Sequence, residues 1–311
     1  MHNILLTGYS GFVGRHLLNA LNASYTVSLI GRKTPQDKSL CFHQSELNEQ
    51  SDFGQVLIDI NTVIHCAARA HIMNDDAQDP LAEFRKVNTL GTLNLAKQAV
   101  AAGVKRFIYI STIKVNGEST KVGSPYKASD NSAPSDPYGQ SKAEAEQQLL
   151  ALGKSSGMEI VIIRPPLVYG EGVKANFASL INLVGKGLPL PFRSINGNKR
   201  SMVSVYNLVD LIVTCIKEPK AANQIFLVSD DNDLSTAEMV ALMAKVHGKT
   251  NLALPVSARL FDLAAKLLNK QDVVSRLTGS LQLDIEHTKN TLNWKPPYSV
   301  EHGFKLSVKN K

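Results

Sequence analysis

Thr7-Gly8-Tyr9-Ser10-Gly11-Phe12-Val13-Gly14 stands directly behind the apolar run Ile4-Leu5-Leu6 and ahead of a segment with helical spacing. Glycines at positions 8, 11 and 14 let a strand turn sharply into a helix and let the backbone approach a ligand. They also let the helix lie close on its strand. The first N–H groups of such a helix point outward at the positive end of its dipole, which suits a diphosphate. The pattern predicts a dinucleotide site at the very start of the fold, built by Gly8, Gly11, Phe12, Val13 and Gly14.

Working outward, short apolar runs alternate with helical patterns. Strands are expected at 3–7, 26–30, 62–66, 106–111 and 159–164, and helices at 14–21, 81–102 and 137–152. This order predicts an α/β fold: a Rossmann-type, doubly wound parallel sheet wrapped by helices. Pro165-Pro166 breaks the pattern. Beyond it come a helix at 175–185, a Pro/Gly-rich stretch at 187–197, a strand at 201–205 and a helix at 208–217. We expect a cofactor domain over 1–165 and a smaller α/β substrate domain over 166–311. The chain is expected to cross back to the sheet within 201–230, around 225–228.

The chain has 311 residues, 43% hydrophobic and 20% charged, an ordinary globular composition. No window is long and apolar enough to span a membrane, and the N-terminus lacks the pattern of a secretory leader. Cys41, Cys66 and Cys215 are widely spaced and odd in number, which fits a reducing cytoplasm. They form no metal pattern, and the eight histidines lack ligand spacing. The formal charge of +7 is spread along the sequence, so a mildly basic surface is favoured over nucleic-acid binding.

The end of the second strand discriminates between the two nicotinamide dinucleotides. An acid there would bind the ribose hydroxyls of NAD and repel a phosphate. Val27-Ser28-Leu29-Ile30 ends instead in Gly31-Arg32-Lys33, and Arg32 is able to pair with a 2′-phosphate. NADP is therefore favoured over NAD. Tyr138-Gly139-Gln140-Ser141-Lys142 opens a helix, and residues four apart share one helix face. Lys142 is expected to lower the Tyr138 hydroxyl toward a working proton donor or acceptor. Ile110-Ser111-Thr112 closes a strand ahead of it, at the carboxyl end where ligands sit, and offers a hydroxyl to a reacting oxygen.

These segments resemble the extended short-chain dehydrogenase/reductases, the NAD-dependent epimerase/dehydratase group. The resemblance covers nearly the whole chain and includes TGYSGFVG, His65-Cys66-Ala67-Ala68, Asn88-Thr89-Leu90-Gly91-Thr92, Ser111 through Gly117, and Tyr138 through Lys142. It selects Thr112 rather than Ser111 as the catalytic hydroxyl, beside Tyr138 and Lys142. It adds Glu46, Ala67, Ala68 and Pro165 to Arg32 and the glycine turn as cofactor contacts, with Tyr138 and Lys142 serving there too. Arg164-Pro165-Pro166-Leu167-Val168-Tyr169-Gly170 matches the family's lead into its nucleotide-sugar site. Asn176 is similar to its uridine-side contact, and Arg200 and Arg276 resemble its two diphosphate-binding arginines. Asn116 stands where the family usually has tyrosine.

The resemblance implies redox chemistry at carbon 4 of a hexose on a nucleoside diphosphate, most often UDP, in surface-polysaccharide precursor synthesis. A single reduction would make the chain a 4-ketoreductase; oxidation followed by return of the hydride to the other face would make it a UDP-hexose 4-epimerase with NAD kept bound. Gly31-Arg32 favours the reductase. The family's dehydratases carry an acidic pair where Ile113-Lys114 stands, which argues against that outcome. A non-catalytic NADP-binding sensor or structural subunit is the alternative of another class, disfavoured because Tyr138 and Lys142 are both present. The resemblance further implies a homodimer paired through 81–102 and 137–152.

Overall fold

A computed structural model of the chain describes residues 2–70, 78–173, 175–257, 260–261 and 271–308. Seven strands form one parallel sheet: β1 (Asn3–Thr7), β2 (Thr26–Gly31), β3 (Cys41–Gln44), β4 (Thr62–His65), β5 (Arg106–Ile110), β6 (Glu159–Arg164) and β9 (Gln224–Leu227). Their order across the sheet is β3-β2-β1-β4-β5-β6-β9. The order reverses between β1 and β4, where Thr7 lies opposite His65. Open α/β sheets bind ligands beyond the carboxyl ends of the strands at such a reversal.

The central strands are covered on both sides, and every residue of β5 is buried. Helices α1 (Phe12–Leu21) and α6 (Val205–Lys217) cover one face, over Leu6, Leu17, Leu29, Ile108 and Leu211. Helices α3 (Thr92–Ala101) and α4 (Pro137–Ser156) cover the other, over Leu5, Leu95, Phe107, Leu149 and Ile160. The sequence specifies α4 sharply at both ends. The Asp136 carboxylate accepts from Gly139 N at 2.6 Å, Pro137 fills the first helical position, and Gly157 closes it at φ +78°. Cap, proline and left-handed glycine each occupy the position their chemistry favours.

Two departures from the sequence expectation have local causes. β3 went unpredicted because its four residues are half-exposed and lack an alternating pattern. The helix expected over 81–102 is broken into α2 (Pro80–Arg85), a π-helical turn (Lys86–Gly91) and α3. Gly91 passes so close to Leu47 that a Cβ would meet its carbonyl oxygen at 2.6 Å. The extra residue of the π-turn sits where Asn88 turns toward Arg69 and Ser141, a common use of such turns at functional sites.

The second lobe pairs β7 (Leu167–Tyr169) with β8 (Met202–Ser204) in parallel. Helices α5 (Ala175–Gly185), α7 (Thr236–Val246) and α10 (Val300–Val308) pack around Tyr169, Phe177 and Phe304. Two further helices, α8 (Gln271–Thr278) and α9 (Glu286–Leu292), precede α10. Between β8 and α7 the chain returns to the first lobe: α6 lies on α1, and β9 pairs parallel with β6. Asp230 fastens the two lobes. Its carboxylate accepts from Tyr169 Oη at 2.5 Å, Ser204 N at 2.9 Å and Asn207 Nδ2 at 2.6 Å. Among the described residues, no helix is long and apolar enough to cross a membrane.

Candidate active site

The glycine turn adopts the conformation its residues require. Gly8 has φ +72°, and a Cβ there would lie 2.5 Å from Ala67 N; a Cβ on Gly14 would lie 2.1 Å from Gly8 O. Gly11 N donates to Gly8 O at 2.9 Å, and α1 opens at Phe12 and Val13 without a side-chain cap or an acid in its first turn. The leading N–H groups are thereby left to an anion. Thr7 Oγ1 accepts from Ala67 N at 3.2 Å and is paired with His65 Nδ1 at 2.8 Å; His65 Nε2 meets Thr92 Oγ1 at 2.9 Å. This chain of bonds ties the ends of β1 and β4 together and sets Ala67-Ala68 over the turn. Burial, with Lys142 adding, brings the His65 pKa down to about 3, so its imidazole is neutral and serves as a structural hub. A close-packed glycine cradle and an uncapped helix start fit a dinucleotide.

Arg32 and Glu46 follow β2 and β3, both exposed. Tyr9, which sequence reasoning did not single out, braces this corner. Its ring fills the space at Gly31, where a Cβ would meet it at 2.7 Å, and its hydroxyl donates to the Lys33 carbonyl.

Of the two hydroxyls after β5, Ser111 is buried and donates to Glu146. Thr112 is half-buried and caps a 3-10 turn, its Oγ1 accepting from Lys114 N at 3.3 Å. Pro165 O accepts from Ile113 N at 2.9 Å, which sets Pro165 beside this turn. Lys142 is buried beneath it; Nζ donates to Ile110 O at 2.7 Å and lies 4.1 Å from the Tyr109 ring centre. Burial pulls the Lys142 ammonium down to about 7. Tyr138, one turn earlier on α4, packs its ring 5.9 Å from that of Phe84. The expectation that Lys142 lowers the Tyr138 hydroxyl is not met in this arrangement. Burial pushes that hydroxyl up and Asp136 adds to the effect, while the ammonium is directed to the Ile110 carbonyl and the Tyr109 face.

Three supports hold these groups, and sequence reasoning assigned that role to none of their residues. Asn88 Nδ2 donates to Ser141 Oγ at 3.0 Å, and Ser141 Oγ donates to Tyr138 O at 2.8 Å. Lys114 bridges Glu118 and the capping Asp136. Glu146 receives Ser111 and the Arg164 guanidinium, and Arg164 Nη1 donates to Asn116 Oδ1 at 3.0 Å. Signals for two of them were present: Glu146 continues the four-residue spacing of Tyr138 and Lys142, and Asp136 precedes a proline as caps do. Asn116 is explained as well, for its amide fills the buried place beside Arg164.

On the second lobe Arg276 lies near enough to Arg200 for its charge to be felt there. Burial lowers the Arg200 guanidinium's pKa, and Arg276 lowers it further. Among the described residues neither arginine has a carboxylate within ion-pair distance, and Arg200 Nη1 donates only to Gly279 O, at 3.2 Å. Asn198 holds the two segments in place by donating to Leu277 O at 3.2 Å and Gly279 O at 3.1 Å. Two adjacent cations without a counter-charge suit a diphosphate. Asn176 lies at the start of α5, and its side chain is outside the described residues.

A parallel sheet with a glycine turn at its reversal, a hydroxyl at the end of β5 and a Tyr-Lys pair on the next helix define a nicotinamide-dinucleotide-dependent enzyme. Residues 4–229 match the NAD dependent epimerase/dehydratase family, and the chain belongs to it. It is 58% identical over 309 residues to the UDP-glucose 4-epimerase of Vibrio cholerae, covering 98% of this chain and 94% of that protein. It is 26% identical to an N-acetyl-alpha-D-glucosaminyl-diphospho-ditrans,octacis-undecaprenol 4-epimerase of Escherichia coli O157:H7, over 97% of this chain and 93% of that one. Among solved structures, the fold matches the UDP-glucuronic acid 4-epimerase from Bacillus cereus in complex with NAD at a TM-score of 0.77. The identity there is 20%, and the match covers 98% and 97% of the two chains. These findings correct one expectation: the 4-ketoreductase is not supported and the epimerase alternative is the better one. The family is NAD-dependent by description.

Proposed function

We propose that the chain is a 4-epimerase of UDP-linked hexoses, of the UDP-glucose type, working with NAD retained between turnovers. The observation that carries this reading is the 58% identity to a UDP-glucose 4-epimerase across nearly the whole chain. The uncapped glycine turn, the Thr112/Tyr138/Lys142 group and the arginine pair are consistent with it. When bound in the glycine turn, NAD would supply a reversible hydride acceptor for carbon 4. Tyr138 takes the proton from the sugar 4-hydroxyl and gives it back, so the reaction is balanced without a net oxidant. Thr112 orients that oxygen through its hydroxyl. Lys142, held on the Ile110 carbonyl, binds the cofactor ribose. Ala67, Ala68, Glu46, Arg32 and Pro165 border the dinucleotide. Arg200 and Arg276 grip the diphosphate, and Asn176 meets the uridine side. Two copies pair through the layer formed by α2, α3 and α4, which Arg85–Glu144 already knits together within one chain.

Incubation of the purified protein with UDP-glucose, followed by chromatography of the sugar nucleotides, tests the reading. UDP-galactose should form without added cofactor, and denaturation should release NAD. A protein that emerges empty and instead consumes NADPH with a 4-keto sugar would overturn it.

A further inference from the structure

Isolated apolar side chains on a surface need no explanation, but a cluster of them does. Of the ten large apolar side chains exposed among the described residues, five lie on two backbone segments that meet at one corner of the second lobe: Leu183, Leu188, Leu252, Leu254 and Leu260, 38–56% exposed. Two backbone segments build this corner. The turn after α5 is closed by Leu188 N on Leu183 O at 3.5 Å, and the two segments are joined by Leu254 N on Leu190 O at 2.7 Å and Arg193 N on Leu254 O at 3.1 Å. Leu188 and Leu252 line one crevice, and Phe192 of the first segment stacks on Phe261, beyond the second, at 5.9 Å.

The charge of the same two segments is one-sided. No carboxylate occurs between Glu171 and Asp210, nor between Glu238 and Asp262, yet these stretches hold Lys174, Lys186, Arg193, Lys199, Arg200, Lys245, Lys249 and Arg259. Two of these are neutralised from outside, Lys199 by Glu238 and Lys245 by Glu301. Lys186, Arg193 and Lys249 are exposed, with no carboxylate at ion-pair distance among the described residues. They surround the leucines: Lys186 lies between Leu183 and Leu188, Arg193 is bonded through its backbone to Leu254, and Lys249 precedes the strand-like stretch that carries Leu252.

We propose that this corner docks on an anionic lipid surface, the leucines entering the headgroup boundary and Lys186, Arg193 and Lys249 pairing with lipid phosphates. Apolar insertion combined with a few cations gives reversible attachment to a bilayer surface without a span. A protein partner would need a complementary acidic surface with its own apolar centre. A bilayer with acidic headgroups supplies both features everywhere, so one flat contact satisfies leucines and cations together.

The test is co-sedimentation of the whole protein with vesicles of phosphatidylcholine alone and of phosphatidylcholine containing phosphatidylglycerol. Binding is expected only to the anionic vesicles, weakening as salt is added. Lys186→Gln and Lys249→Gln should each weaken it about fivefold. Leu252→Gln with Leu254→Gln should weaken it about tenfold or more, with epimerase activity in solution unchanged. Equal binding to neutral vesicles, or none to either, would overturn the proposal. So would a leucine double variant that leaves vesicle binding intact but lowers the particle mass by light scattering, since the corner would then join copies of this chain.

Discussion

The Lys114 ammonium grips the Asp136 carboxylate, and Asp136 is the residue that caps the helix carrying Tyr138 and Lys142. Lys114 stands two residues after Thr112, so one ion pair ties the turn that carries the Thr112 hydroxyl to the helix that carries Tyr138 and Lys142. Gly139 packs against the same place, where a Cβ would meet Lys114 O at 2.9 Å. Lys114→Met should therefore lower kcat about tenfold with little change in KM, because small misplacements of reacting groups are expensive. Lys114→Arg should recover most of the loss. Asp136→Ala should also remove a helix cap, worth about 1 kcal/mol, and lower Tm by roughly 2–4 °C. Steady-state kinetics and thermal melts measure both effects.

Tyr138→Phe should leave the fold and the bound dinucleotide intact and reduce turnover at least about a hundredfold, the scale of a lost proton-transfer group. Released nucleotide measured by mass spectrometry, set against the rate, separates this from a folding defect. Unchanged turnover would remove Tyr138 from the mechanism.

Burial of Lys142 opposes stability. Unfolded, a lysine titrates near 10.4, whereas here it titrates at about 7. The unfolded chain thus holds more protons between about pH 7 and about pH 10, stability from this site rises with pH across that window, and the penalty is complete below it. Lys142→Met should raise the Tm of the nucleotide-free protein most near pH 6 and least near pH 10, while abolishing activity. A Tm gain of the same size at all pH values would contradict the buried-cation account.

Arg164 and Glu146 form an ion pair whose side chains are 5% and 3% exposed. Removing one partner strands the other. Glu146→Gln should cost about 3–5 kcal/mol in denaturant unfolding, and the Ser111 and Asn116 contacts should loosen with it. A loss under about 1 kcal/mol would show that the network is not rigid.

Arg276→Ala should weaken binding of UDP about 10- to 100-fold, the value of a lost charge-assisted bond, with kcat nearly unchanged. Calorimetric titration checks it. Arg200→Ala should do the same and also disturb its bond to Gly279 O, so the two variants should differ in stability more than in affinity.

What the sequence disclosed follows physical lines. The glycine turn, the apolar strands 3–7 and 159–164, and the Tyr-Lys spacing are local signals, and the structure has β1 and β6 at those bounds. β3 was hidden because a half-exposed edge strand of four residues carries no period. The helix over 81–102 was overextended because what breaks it, the Leu47 backbone at Gly91, comes from a distant part of the chain. The supports at Glu146, Arg164 and Asn116 depend on three separate elements meeting, which spacing along the chain does not reveal. The choice between reduction and epimerisation lay beyond the residues quoted, because both run on the same hydroxyl, phenol and ammonium.

The return of the chain through β9 bears on how the protein is made. β6 emerges from the ribosome well before its outer neighbour, which starts at Gln224, because the second lobe's first strands and helix intervene. For that interval β6 is a bare edge, the kind of surface on which nascent chains stick to one another. The first lobe reaches its final form only after part of the second has been synthesised. Chains truncated near residue 165 should therefore aggregate, and the lobes should not be separable by a single cut.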